Sequence, residues 1–223
     1  NFSTAALVFI NGLVLMFVGK IRVKFIAAII GFAFVGALTI YATAKFTPVG
    51  TKIMPRSATW VSRIDSFFID NEGDEQTKDF QQTQALVAIQ NGGMTGVGPG
   101  KSTQRNILPY SSSDFIYAII IEEYGLFGGV LALLFYLILM FRAIRIALRV
   151  ESVFGSLLAT GLMFSLVFQA LINMLVSVEV LPVTGQTLPL ISMGGTSIVF
   201  SCIAIGIVLS VSRDATDRKY EKA

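Results

Sequence analysis

Apolar runs joined by short basic connections make up most of the chain, with one long polar interruption. The runs at 2–18, 25–44, 152–176 and 190–212 are nearly unbroken, and a fifth lies within 115–141. Crossing a bilayer takes about 20 apolar residues in a helix, so the pattern predicts five spanning helices. The fifth is ambiguous at its start. Either it covers all of 115–141, or a short piece from Asp114 to Tyr124 precedes a tighter span from Gly125. The adjacent Glu122 and Glu123 favour the second version, because charge deep in hydrocarbon is expensive. Gly194-Gly195 is expected to loosen the start of the last run. There is no internal repeat. The predicted fold class is an all-α polytopic membrane protein, 1–223 forming a single membrane domain.

The interruption, 45–114, is far longer than an ordinary connection, and such loops are usually functional or disordered. Its pattern argues against disorder. Trp60, Val61, Ile64, Phe67 and Phe68 recur at helical spacing, with Arg56, Ser62, Arg63 and Asp70 elsewhere. That stripe predicts a helix lying in the membrane interface. A polar hinge from Asp70 to Asp79 follows, then a weaker helix over 80–90. Gly92, Gly93, Gly96, Gly98, Pro99 and Gly100 then exclude regular helix.

Composition turns this pattern into a class. Hydrophobic residues make up 54% of the chain and charged ones only 14%, against about 25% charged in soluble domains. Mean hydropathy is +0.72. An ordinary cytosolic enzyme, a nucleic-acid binder and a disordered chain are excluded together. The net charge of +3 matters less than its distribution. Lys20, Arg22, Lys24, Arg142, Arg145, Arg149, Arg213, Arg218, Lys219 and Lys222 fall on one side if five helices alternate. The positive-inside rule makes that side cytoplasmic. The C-terminus is then cytoplasmic and 45–114 an extracytoplasmic loop. Its own Lys45, Lys52, Arg56, Arg63, Lys78, Lys101 and Arg105 sit in a long loop, which that rule does not govern.

The absence of histidine removes imidazole acid–base chemistry and Ser-His-Asp triads. The single cysteine, Cys202, leaves neither an internal disulfide nor a cysteine zinc site. Chemistry therefore falls to carboxylates, cations, hydroxyls and backbone. Asn1 leads directly into an apolar run without a basic segment, which reads as a fragment or processed chain rather than a signal peptide.

Several local patterns admit two readings. GVGPGKST at 96–103 suggests a P-loop, but Thr95 stands where the first glycine is required and no strand precedes it. What remains is a glycine-rich loop beside Lys101, Ser102, Gln104 and Arg105, either an anion cradle or a solvated loop. Asp114 either caps the following helix or acts as a base near Lys101 and Arg105, which would stabilise a departing phosphate. Glu122 and Glu123 either pair with a loop cation, or shape the site or carry a proton. Gln169 and Asn173, sharing a helix face, suit interhelical hydrogen bonds. Gly125 and Gly129 suit helix packing. Pro182, Gly185, Pro189, Gly194 and Gly195 break the chain at a helix entry, where irregular backbone must be covered by protein or line a cavity.

The set of motifs resembles the SEDS (shape, elongation, division and sporulation) membrane proteins, and their FtsW cell-division branch more than RodA. The residues carrying it are Asn1-Phe2-Ser3-Thr4-Ala5, Gly96-Val97-Gly98, Ser102-x-Gln104, Leu108-Pro109, Ser113-Asp114-Phe115-Ile116-Tyr117-Ala118, Glu122-Glu123-Tyr124-Gly125 and Leu188-Pro189-Leu190-Ile191-Ser192-Met193-Gly194-Gly195-Thr196-Ser197. They run the length of the chain in the family's order, and correspond to the C-terminal half of a ten-helix bundle.

The resemblance implies a peptidoglycan glycosyltransferase of the bacterial cytoplasmic membrane, polymerising lipid II during cell division. It also implies a class B penicillin-binding protein and other division proteins as partners, within membrane lipid and without nucleic acid. Asp114 matches the family's essential Asp and would deprotonate the acceptor sugar hydroxyl. Lys101, Ser102, Gln104, Arg105, Ser192, Gly194 and Gly195 would contact substrate, supported by Glu122, Glu123, Asn173 and Pro189. The resemblance certifies no cofactor; a divalent cation, Mg or Mn, at the diphosphate is compatible with it, and no residue is assigned as a metal ligand. One displacement with one base implies inversion.

The chain departs from the family by lacking the Glu and His usual before Asp114, by Met193 in place of Tyr, and by Asn1 in place of Asp. The roles of that Glu and His are not carried over. Two rivals remain. A transporter of lipid-linked precursor would use Glu122, Glu123, Gln169 and Asn173 as a path, and a non-enzymatic scaffold would need only its helix faces.

Overall fold

The computed structural model describes residues 2–46, 78–108 and 111–221, and every regular element among them is helical. The order is α1 (Phe2–Val18), α2 (Val23–Phe46), α3 (Lys78–Gly92), a 3₁₀ turn (Gln104–Asn106), α4 (Ile116–Arg149), α5 (Val153–Ser177) and α6 (Gly195–Glu221). The interfacial helix expected around Trp60 and Phe67 lies outside the described residues, as does Pro109.

Within α2, α4, α5 and α6 lie stretches long and apolar enough to cross a membrane. Helix α1 is equally apolar but has 17 residues, at the short end of what spans. The protein is a multi-pass membrane protein, with large side chains such as Phe32, Phe127, Leu148 and Phe200 on its outside. Helices meet through small residues. Ala143, Ala159 and Val208 join α4, α5 and α6, while Ala85, Ala88 and Ala118 seat α3 on α4. Without a hydrophobic drive inside lipid, such close approach supplies the packing.

Helix α4 is two helices. Gly125 has φ 71 and ψ −173 in its interior, a conformation essentially reserved for glycine. Beyond it the chain turns back. The Tyr117 hydroxyl donates to the Gly129 carbonyl at 3.3 Å, although residues twelve apart in a straight helix are about 18 Å apart. The short arm is 116–124 and the crossing arm begins at Leu126, the second of the two versions expected from the sequence. Gly125 and Gly129 thus make a fold-back within α4, not a packing face between helices.

The bundle has two unlike ends. At one, Gly19 lies beside Leu157 and Gly155 beside Val211, gathering Lys20, Arg22, Lys24, Arg149 and Arg213. At the other, Gln186 Nε2 donates to Thr4 Oγ1 at 3.0 Å, and there the chain between α5 and α6 runs irregularly over 178–194. That segment meets Asp114.

Candidate active site

Asp114 is half-buried and sits just ahead of α4, but it does not cap that helix. Phe115 occupies the cap position with no side-chain hydrogen bond. The Asp114 carboxylate instead accepts from Ser113 Oγ at 2.6 Å, and its second oxygen faces Gly185, where an added Cβ would stand 3.6 Å away. The backbone around it is held by donors. Asn173 Nδ2, buried on α5, donates to the carbonyls of Asp114 and Gln186, each at 2.7 Å. Ser192 Oγ donates to the Ser113 carbonyl at 2.6 Å and accepts from Leu188 N at 2.7 Å. Met193 N donates to the Ser112 carbonyl at 2.8 Å. Three successive carbonyls before α4 are thereby held, two by the irregular segment and that of Asp114 by α5, which satisfies backbone groups that a non-helical passage leaves unpaired.

The segment is itself anchored. Gln169 Nε2 donates to the Thr187 carbonyl at 3.0 Å, and the Tyr136 hydroxyl donates to the buried Pro189 carbonyl. Gln169 and Asn173 therefore bond to irregular backbone, not to a neighbouring helix as their spacing suggested.

The glycine-rich loop is built on the break in α4. Val97 N donates to the Glu122 carbonyl at 2.9 Å, Gly98 N to the Glu123 carbonyl at 3.0 Å, and Leu126 N to the Gly93 carbonyl at 2.9 Å. Added Cβ atoms at Gly92, Gly96 or Gly125 would overlap facing backbone, so the glycines serve close approach. Past the loop, the chain closes over Glu122, which is fully buried. Ser102 Oγ donates to Glu122 Oε2. Thr103 donates to Oε1 through its amide at 3.2 Å and its hydroxyl at 2.9 Å, and Gln104 N lies 3.4 Å from both oxygens.

This corrects three expectations. Glu122 takes hydroxyls and amides, not a loop cation. The anion cradle exists, but at Thr103 and Gln104 it is filled from inside by Glu122. Ser102 and Ser192, expected to touch substrate, are buried and direct their hydroxyls into the protein.

Among the other expected residues, Lys101 and Arg105 are exposed and Gln104 is buried with Oε1 unpartnered. Glu123 is half-buried with Oε1 unpartnered. Gly194 N donates to the Ser192 carbonyl at 2.9 Å; Gly195 opens α6 and is exposed. Ser111 Oγ donates to the Arg105 carbonyl at 2.8 Å, tying the loop's end to the approach to Asp114. Sequence reading missed Thr103, Tyr136 and Gln186; Gln186 lay in the segment read only for its helix breakers.

The profile of the FtsW/RodA/SpoVE family, described as cell cycle proteins, matches residues 1–217. The chain belongs to this family. It is 42% identical to stage V sporulation protein E of Bacillus subtilis over 154 residues, 69% of this chain and 42% of that protein. It is 35% identical to a probable peptidoglycan glycosyltransferase FtsW of Methylococcus capsulatus over 219 residues, 96% of this chain and 52% of that one. The chain thus spans about half the length of these curated relatives. A chain of a solved peptidoglycan synthase complex shares the fold, with TM-score 0.68 and 24% identity over 95% of this chain and 55% of that one.

Proposed function

We propose that this FtsW-like chain is part of a peptidoglycan glycosyltransferase that polymerises lipid II, with Asp114 as general base. One observation carries the reading: Asp114's backbone is tied down while, among the described residues, its carboxylate accepts a hydrogen bond from Ser113 and turns its other oxygen toward the side-chain-free Gly185. A base must be fixed yet leave a lone pair for the proton it removes. Asp114 takes the proton of the acceptor sugar hydroxyl, whose oxygen attacks the anomeric carbon as the bond to undecaprenyl diphosphate breaks. Lys101 and Arg105, cationic and exposed, stabilise the departing diphosphate. One displacement inverts the anomeric centre.

The reading includes the basic end facing the cytoplasm and the site facing outward from the cytoplasmic membrane, supported by the sorting of Lys and Arg between the two ends. It also includes a class B penicillin-binding protein as partner. Mg or Mn at the diphosphate would be held by the substrate phosphates, with Asp114 as the nearby carboxylate among the described residues. The described residues hold no group of three acidic, Cys or His side chains, and Mg is commonly bound that way. The ion would add positive charge beside the leaving group. A transport path through Glu122 is disfavoured, since loop donors enclose that carboxylate.

The test uses the full-length protein with its transpeptidase partner and labelled lipid II. Wild type is expected to make glycan polymer, and Asp114→Ala to lose at least about a hundredfold in rate. Polymer from Asp114→Ala at the wild-type rate rejects the assignment.

A further inference from the structure

We infer that Glu122 is the positioning residue for the two cations of the site: an internal anion that fills the loop's amide cradle and thereby fixes Lys101 and Arg105 on its outer side. The inference rests on the glycosyltransferase reading and assigns it a second, separable part.

Glu122 is fully buried, and its partners, Ser102 Oγ, Thr103 Oγ1, Thr103 N and Gln104 N, are all donors. A buried carboxylate is tolerated only with such complete pairing. The gripped residues are 102, 103 and 104, and the cations stand immediately on either side of them. Arg105 is further fixed by its own amide, which donates to Ser102 Oγ at 3.0 Å. Lys101 is fixed by its amide on the Gly98 carbonyl at 3.2 Å. One carboxylate therefore sets the backbone from which both cations project, without neutralising either. Among the described residues neither cation is ion-paired.

The same geometry divides the labour. The amides of Thr103 and Gln104 already have an anion, so a substrate diphosphate meets the side chains of Lys101 and Arg105. Asp114 depends on other tethers, those from Asn173 and Ser192. Loss of the Glu122 charge should therefore weaken substrate capture and leave the base in place.

The experiment measures initial polymerisation rates against labelled lipid II concentration, with full-length protein and its transpeptidase in liposomes. Glu122→Gln is expected to raise apparent KM about tenfold with kcat within about threefold of wild type, the signature of lost binding common to ground and transition states. Ser102→Ala with Thr103→Val, which removes two hydroxyl donors and keeps the carboxylate, should move KM the same way by a smaller factor, and carries the test if Glu122→Gln does not fold. In an Asp114→Asn background, where turnover is removed, Glu122→Gln should lower lipid II affinity about tenfold. Unchanged KM and affinity in folded variants overturn the inference, as does a fall in kcat alone. A wild type that makes no polymer overturns the glycosyltransferase reading instead.

Discussion

Two pieces of irregular backbone meet in this protein, and they are held by opposite chemistry. The loop around 96–104 presents amides, and it is gripped by a carboxylate and by carbonyls freed at Gly125. The approach to Asp114 presents carbonyls, and it is gripped by an amide nitrogen, a hydroxyl and a backbone N–H. Unpaired backbone inside a membrane protein costs several kcal/mol per group, so each segment recruits the side chain that complements its orphaned groups. Where donors crowd together a charge is admitted, because they disperse it. Where acceptors crowd together, neutral donors suffice.

The comparison breaks most severely at Gly125. Gly125→Ala forces a side chain into a glycine-only conformation and against the Met94 carbonyl, and should cost about 3 kcal/mol or more. A fall in the thermal midpoint of the purified protein, with lipid II capture lost before the base, is the expected result; an unchanged midpoint would show that the seam between loop and helix is not needed. Next comes Asn173→Ala, which strands the Asp114 and Gln186 carbonyls at about 2 kcal/mol. It should lower kcat and spare KM, the reverse of Glu122→Gln, and matching profiles for the two variants would erase the distinction drawn here. Tyr136→Phe removes one donor from the Pro189 carbonyl, should cost about 1 kcal/mol, and should shift kcat in the Asn173 direction by less.

What was legible in the sequence follows from how local each cause is. Apolar runs announce their helices because crossing a membrane is a property of consecutive residues, and Glu122-Glu123 foretold the break because charge is costly at depth. The role of Glu122 was hidden, since its partners come from a loop eighteen to twenty residues away whose course depends on glycines approaching backbone. Asp114 read as a cap by position. Distant tethers on its own and the preceding carbonyls decided otherwise; the residues offered a base beside Lys101 and Arg105 as the alternative, and the family resemblance favoured it.

The reach of those tethers also sets a schedule. Ser113 is held by a residue 79 positions later, and Thr4 is bonded to one 182 positions later. At translation rates of about 5–20 residues per second, Asp114 leaves the ribosome roughly 4–16 s before Ser192. For most of that interval the nascent chain carries its carboxylate without Asn173 or Ser192, so the site closes only once the segment ahead of α6 has been made.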